Sequence, residues 1–283
     1  MSARNIYNSA LYDDMTAKNQ KDLSQVKALI LDMDGVLWRD TEPIIDLPSA
    51  FARLREHHMK VILATNNATR TVEQYLAKVR GFGVELEPWQ VINSADATAA
   101  YLRRRFPTGG PIYILGSDAL RNTLEKAGFY PQERDVLAVV AGMDHQLTYD
   151  KLKKATLLIR AGAPFIGTNP DRTFPIPEGL TIGTGAILAA LQAATDVEPV
   201  ICGKPEPMMY QLAMERLGTN PSETLVVGDR AETDIVGAQR LNCRTAIVLS
   251  GVADLQTAIA WQPSPDLIEA DLSAVLDKLY ANR

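Results

Sequence analysis

The chain has 283 residues, 46% of them hydrophobic and 22% charged, which is ordinary soluble composition and enough for one large domain or two moderate ones. A formal net charge of -5 argues against a nucleic-acid binder, whose surface must be basic, while leaving room for a pocket lined locally by positive groups. Two cysteines (Cys202 and Cys243), no signal-peptide pattern and no apolar run of membrane length lead to the expectation of a cytoplasmic protein without disulfides or membrane partners.

Residues 1–24 read as a polar leader. The run Val26–Leu31, apolar except for Lys27, then reads as a buried strand that ends on Asp32 and Asp34. Side chains two apart leave a strand on the same side, and Gly35 allows a sharp turn beyond them. Two carboxylates held that close repel unless a cation or a shared proton relieves them. By itself an Asp-x-Asp pair is equally a turn or a helix cap. A helix is expected at Leu47–His57, a strand at Lys60–Ala64 and a helix at Thr71–Arg80, where Val72, Tyr75, Leu76 and Val79 share one face. A strand at Val91–Ile92 and a helix at Ala95–Arg105 complete a first block.

After the turn-rich Pro107–Pro111 the pattern restarts. Strands are expected at Ile112–Leu115, Leu137–Val140 and Pro164–Gly167, with helices from Ser117 to Gly128, at Tyr149–Arg160 and at Gly185–Ala194. Further strands follow at Thr224–Val227 and Thr245–Leu249. Such alternation predicts an α/β protein with parallel sheets covered by helices, and the restart predicts a second α/β domain at about 108–199.

Three polar clusters follow apolar strands. Thr65-Asn66-Asn67 offers a hydroxyl and amides that can donate to phosphate oxygens, or that simply cap a turn. Gly203-Lys204-Pro205 holds a lysine in a tight loop, where it can offset phosphate charge or be a solvated surface group. Asp229 stands at the end of the Leu225–Val227 strand, and Asp234, five residues on, can serve the site or cap a helix. Together Asp32, Asp34, Asp229 and Asp234 are hard oxygen ligands of the kind Mg2+ prefers, and Thr65, Asn66 and Lys204 are the complementary donors. Metal, anion donors and a carboxylate nucleophile are what phosphoryl transfer requires.

Asp32-Met33-Asp34-Gly35, Thr65-Asn66-Asn67, Gly203-Lys204-Pro205 and Gly228-Asp229 through Asp234 occur in the order of the four motifs of the haloacid dehalogenase-like (HAD) superfamily. The wider sequence resembles the branch of NagD-type and 4-nitrophenylphosphatase-like enzymes, including Gly167–Asp171 and Val248–Val252. That resemblance implies a Rossmann-like parallel-sheet core formed by 25–107 and 200–283, with an α/β cap inserted at 108–199. It also implies a Mg2+-dependent phosphatase acting on a small phosphorylated metabolite. Asp32 would attack phosphorus, and Asp34 would protonate the leaving oxygen and later deprotonate water. The metal would be held by Asp32, Asp34 (through its backbone carbonyl) and Asp229, with Asp234 orienting water or Lys204 from farther out. Thr65 and Asn66, with Asn67 beside them, would bind the phosphoryl oxygens, and Lys204 would neutralise charge.

The presence of Asp34 favours ester hydrolysis, since dehalogenases of the superfamily lack this acid. Phosphomutases share it, so a phosphotransferase or mutase stays open beside a non-catalytic binding protein on the same scaffold, although no motif residue has been lost. Dimers formed through the cap are common among relatives, which makes a homodimer one expectation.

Other features carry less. His57 and His58 end a helix, His145 lies in a surface loop of the insert, and Arg103-Arg104-Arg105 reads as a solvated helix end. Gly183-Thr184-Gly185-Ala186 lacks the full dinucleotide spacing and reads instead as a cap loop entering the active site. Asn169, Asp171 and Arg172 are the cap residues expected nearest a substrate.

Overall fold

The computed structural model describes residues 23–176 and 178–281, so the leader expected over 1–24 lies outside the described residues up to position 22. The chain packs as two compact units, one from the residues up to Val61 together with those from Thr219 onward, the other Ile62–Gly218.

In the first unit Ala28–Leu31 (β1) is buried along its whole length, as a strand covered on both faces must be. A short antiparallel ribbon follows, Trp38–Arg39 (β2) with Glu42–Pro43 (β3). Helix α1 (Leu47–Glu56) starts at Asp46, whose carboxylate accepts the Ser49 N–H, and buries Leu47, Ala50, Phe51 and Leu54, the spacing of one helical face. Lys60–Thr65 (β4) then carries the chain into the second unit.

There β4 pairs in parallel with β5 (Val91–Asn93). The intervening α2 (Val72–Gly81) opens on a capping box in which Thr71 accepts from the Gln74 amide while Gln74 accepts from that of Thr71. Asn93 starts α3 (Ser94–Arg105) by accepting the Ala95 and Asp96 amides. The restart supplies β6 (Gly110–Leu115), α4 (Asp118–Lys126), β7 (Phe129–Pro131), β8 (Val139–Ala141), α5 (Tyr149–Arg160) and β9 (Phe165–Gly167). Beyond them come β10 (Thr173–Ile176), β11 (Gly179–Ile182), α6 (Thr184–Thr195), β12 (Val200–Ile201) and α7 (Pro207–Leu217). Five strands form a parallel sheet in the order β12-β9-β8-β6-β7. Leu115, Val139, Ala141 and Phe165 from its strands pack with Ala155 and Ile159 of α5 and Ile187, Leu188 and Leu191 of α6. Strands β10 and β11 form a separate antiparallel ribbon.

The chain returns to the first unit with β13 (Thr224–Gly228), a widened π turn at Ala231–Ile235, α8 (Val236–Arg240), β14 (Arg244–Val248), α9 (Leu255–Ala260), β15 (Leu267–Glu269) and α10 (Leu272–Tyr280). Strands β13, β14 and β15 extend from β1 in parallel, in the order β15-β14-β13-β1. Arg53 of α1 donates to Asp277 of α10, and His57 stacks on Tyr280 with ring centroids 3.7 Å apart. His57 is thus packed as a structural group.

The expected α/β class and its parallel sheets are what the chain adopts. The two ribbons and β7 were not anticipated, because two to four residues are too short to display a period of two. The most compact division also falls away from 107/108 and 199/200. Helix α3 packs against α4 of the insert and against α7 after it, drawing 62–107 and 200–218 into the second unit. Among the described residues no helix is long and apolar enough to cross a membrane.

Two consequences are measurable. Leu29 is fully buried in β1, and Leu29→Ala should lower stability by about 2–5 kcal/mol in urea titration. Burial also pushes the Cys202 and Cys243 thiols up from the ordinary 9.0 to about 12. Below about pH 9 both states hold neutral thiols. As pH rises through 9 toward about 12 the unfolded chain alone releases these protons, so this contribution to stability is lost over that window. A thiol reagent at pH 8 should therefore label both cysteines in urea and neither in the native protein.

Candidate active site

The end of β1 delivers the first pair of acids. Met33 between them is fully buried, whereas Asp34 is exposed and Asp32 partly so, which places both carboxylates on the side opposite Met33. The Asp32 N–H continues the sheet by donating to the Val227 carbonyl of β13 at 2.9 Å. That pairing brings the end of β1 beside the end of β13, where Asp229 follows Gly228. One ligand oxygen each from Asp32, Asp229 and Asp234 lies within 4.8 Å of the others. Asp229 and Asp234 are 3% and 2% exposed, so these two are removed from the solvent that screens surface charges, while Asp32 is partly open to it.

Backbone N–H groups hold these carboxylates. Asp229 Oδ2 accepts from Val252 at 2.8 Å, and Asp234 Oδ2 accepts from Arg230 at 3.1 Å across the π turn. Such turns recur at functional sites because they redirect a side chain out of the regular helical path. Gly35 has φ +88°, and a Cβ there would lie 2.3 Å from Asp229 Oδ2, so only glycine fits the turn over the acids. Ser250 closes the same loop by donating to the Gly35 carbonyl at 2.7 Å.

Asp34 is not one of the three clustered acids. Its Oδ1 accepts the indole N–H of Trp38 at 2.8 Å, and Trp38 is fully buried. Sequence reasoning missed this residue, although a tryptophan four positions after an acid, across a glycine turn, was a usable signal.

The second unit gathers the donors. Thr65 ends β4 in a buried position, and its Oγ1 accepts the Asn67 N–H. Asn67 itself caps the turn through Oδ1, which accepts from both the N–H and the hydroxyl of Thr69. Asn66 is tied to the lysine loop, its Oδ1 accepting the Lys204 N–H at 2.8 Å and its Nδ2 donating to the Lys204 carbonyl at 2.9 Å. The other amide hydrogen goes to Asp171 Oδ2 at 3.1 Å. Both amide hydrogens of Asn66 are therefore engaged within the protein.

Lys204 is 4% exposed, and its Nζ donates to the Ala64 carbonyl at 3.1 Å, which rules out the reading of a solvated surface lysine. Asn169 is buried and donates to the Asn66 carbonyl, so Asn169 and Asp171 both meet the Thr65–Asn67 segment. Arg172 is exposed at the base of the β10–β11 ribbon. The Gly183–Gly185 segment has a packing explanation: a Cβ on Gly185 would lie 2.1 Å from the Pro170 carbonyl, and its N–H donates to that of Asp171. His145 is exposed beside the buried Asp144, which pairs with a half-exposed Lys151, and Arg104 pairs with Glu215.

The model of haloacid dehalogenase-like hydrolases matches residues 29–130, and a HAD-hydrolase-like model matches 201–275. The acid sugar phosphatase of Staphylococcus aureus (strain USA300) is 36% identical over 258 residues, spanning 91% of this chain and 99% of that protein. The solved 4-nitrophenylphosphatase of Thermotoga maritima superposes with a TM-score of 0.86 at 30% identity, covering 90% of this chain and 98% of that one. NagD from E. coli K-12 gives 0.82 at 29%, covering 88% and 97%. A glycerol phosphate phosphatase of Mycobacterium tuberculosis in complex with magnesium gives 0.83 at 30%, covering 90% and 78%. With the motifs in order and the acids of the first and fourth gathered at one strand end, the chain belongs to the haloacid dehalogenase-like hydrolases, in their NagD-like branch.

Proposed function

We propose that the protein is a magnesium-dependent phosphatase that hydrolyses a small phosphate monoester through an aspartyl-phosphate on Asp32. The observation that carries this reading is the gathering of Asp32, Asp229 and Asp234 within 4.8 Å, beside an Asp34 held apart from them. Three hard oxygen donors at that spacing fit a small divalent cation, and the phosphatases named above support the reaction class. Asp32 and Asp229, with the Asp34 backbone carbonyl, would hold Mg2+, and Asp234 stands close enough to orient them. When bound, the cation offsets the negative charge of nucleophile and phosphate.

The remaining work falls to the side chains. Asp32 attacks phosphorus as the ester P–O bond breaks, and Asp34 delivers its proton to the departing oxygen, so a neutral alcohol leaves. Asp34, now a carboxylate, takes a proton from the water that cleaves the aspartyl-phosphate, which restores both acids. Thr65 and the Asn66 backbone N–H hold the phosphoryl oxygens, and Lys204 balances their charge. Residues 108–199 act as the cap, with Asn169, Asp171 and Arg172 nearest the substrate. The substrate is a small phosphorylated metabolite.

Two experiments test this reading. Hydrolysis of 4-nitrophenyl phosphate should require Mg2+, vanish in EDTA and fall by on the order of 10^3-fold or more in Asp32→Asn. Full activity in that variant would remove Asp32 from the nucleophile role. A Cβ at Gly251 would lie 2.0 Å from Asp229 Oδ2. Gly251→Ala should therefore weaken Mg2+ binding by at least about tenfold in calorimetry, within the range seen when a ligand's supporting contacts are disturbed.

A further inference from the structure

Trp38 is a residue to which the reaction above gives no part, yet its one polar atom is committed to the proton carrier. The indole N–H lies 2.8 Å from Asp34 Oδ1, and the ring is fully buried in the first unit. The surrounding backbone fixes this pairing. Asp34 and Trp38 form an isolated β-bridge, the Gly35 N–H donates to the Trp38 carbonyl at 2.8 Å, and the Leu37 N–H donates to that of Met33 at 2.9 Å. Trp38 is further held as the first residue of β2, opposite Pro43 of β3. A buried indole has few rotamers open to it, so the direction of its N–H is set by the fold rather than by the substrate. Asp34, by contrast, is exposed, and nothing in its own burial would keep its carboxyl in one orientation.

We propose that Trp38 positions Asp34 for proton transfer by fixing Oδ1, so that Oδ2 carries the proton delivered to the leaving oxygen. This inference rests on the phosphatase reading above. The indole nitrogen donates and cannot accept, so it engages Oδ1 both when Asp34 holds the proton and after it has given it up. The bond therefore persists through both half-reactions while the O–H bond at Oδ2 breaks and re-forms. In the first half, that proton passes to the ester oxygen as its bond to phosphorus breaks and the Asp32–phosphorus bond forms. In the second, Oδ2 takes a proton from the attacking water. Trp38 touches neither substrate nor phosphorus, so it is a positioning residue.

The test uses the leaving group. Phenyl phosphate and 4-nitrophenyl phosphate have nearly the same shape, but phenolate is a much poorer leaving group and depends far more on a proton donor. Values of kcat/KM for both esters, with saturating Mg2+, should be compared in the wild type, Trp38→Phe, Asp34→Asn and the double variant. The loss in Trp38→Phe should be about tenfold or more greater on phenyl phosphate than on 4-nitrophenyl phosphate, within the range that misplacement of a catalytic group produces. In the Asp34→Asn background, Trp38→Phe should add no further discrimination between the esters, because the group it positions is already gone. If Trp38→Phe does not fold, β-(3-benzothienyl)alanine at position 38 keeps the ring shape and removes only the N–H. Equal losses on both esters, or none, would overturn the assignment and mark Trp38 as core packing. Failure of the wild type to hydrolyse either ester would instead remove the phosphatase reading, and the inference with it.

Discussion

Everything in the first unit is arranged around a repulsion. Carboxylate oxygens from Asp32, Asp229 and Asp234 within 4.8 Å oppose one another by about 3 kcal/mol per pair at the effective dielectric of a protein interior. A fold tolerates this only where something else fixes each residue. Asp32 is fixed by its place in the β1–β13 ladder, Asp229 by the Val252 N–H and Asp234 by the Arg230 N–H across the π turn. The parallel sheet supplies the rest, since adjacent parallel strands end at the same edge and bring distant segments of sequence together there. A bound cation would relieve the repulsion, so the energy stored in crowding the acids would become affinity for metal.

The strands that end on these acids were legible because they are long apolar runs closed by polar clusters, a pattern that follows from burial on both faces. Asp34 and Lys204 were legible as chemistry only through the ordered motifs. What the sequence hid was the wiring. Nothing in the spacing of Asn66 says that its amide hydrogens go to Lys204 and Asp171, since those partners lie 138 and 105 positions away. Asn67 shows the local alternative, since a loop asparagine can satisfy its own turn through Oδ1. Trp38 was not singled out, since it belongs to none of the polar clusters that follow the strands. The domain boundaries were hard to read because α3 packs against helices from both the insert and the segment after it, so compactness does not follow the order of the chain.

The motif residues of the two units differ in charge. The first presents acids, the second a buried lysine and neutral donors. Asn66 is the organising residue of the second set, for its side chain and carbonyl together engage Lys204, Asp171 and Asn169. A single amide thus couples the end of β4, the lysine loop and the Asn169–Asp171 segment. The exposed Arg172 stands next to that network without belonging to it.

The β10–β11 ribbon leaves this network at Arg172 and rejoins it at Gly183, whose N–H donates to the Arg172 carbonyl. Between those closed ends Ile176, Leu180 and Ile182 are exposed. Substitutions at such positions disturb little packing and alter stability only slightly. The base is therefore rigid while the tip is open to variation. Descendants of such a scaffold can explore new ribbon sequences without disturbing the hydrogen-bonded network at its base.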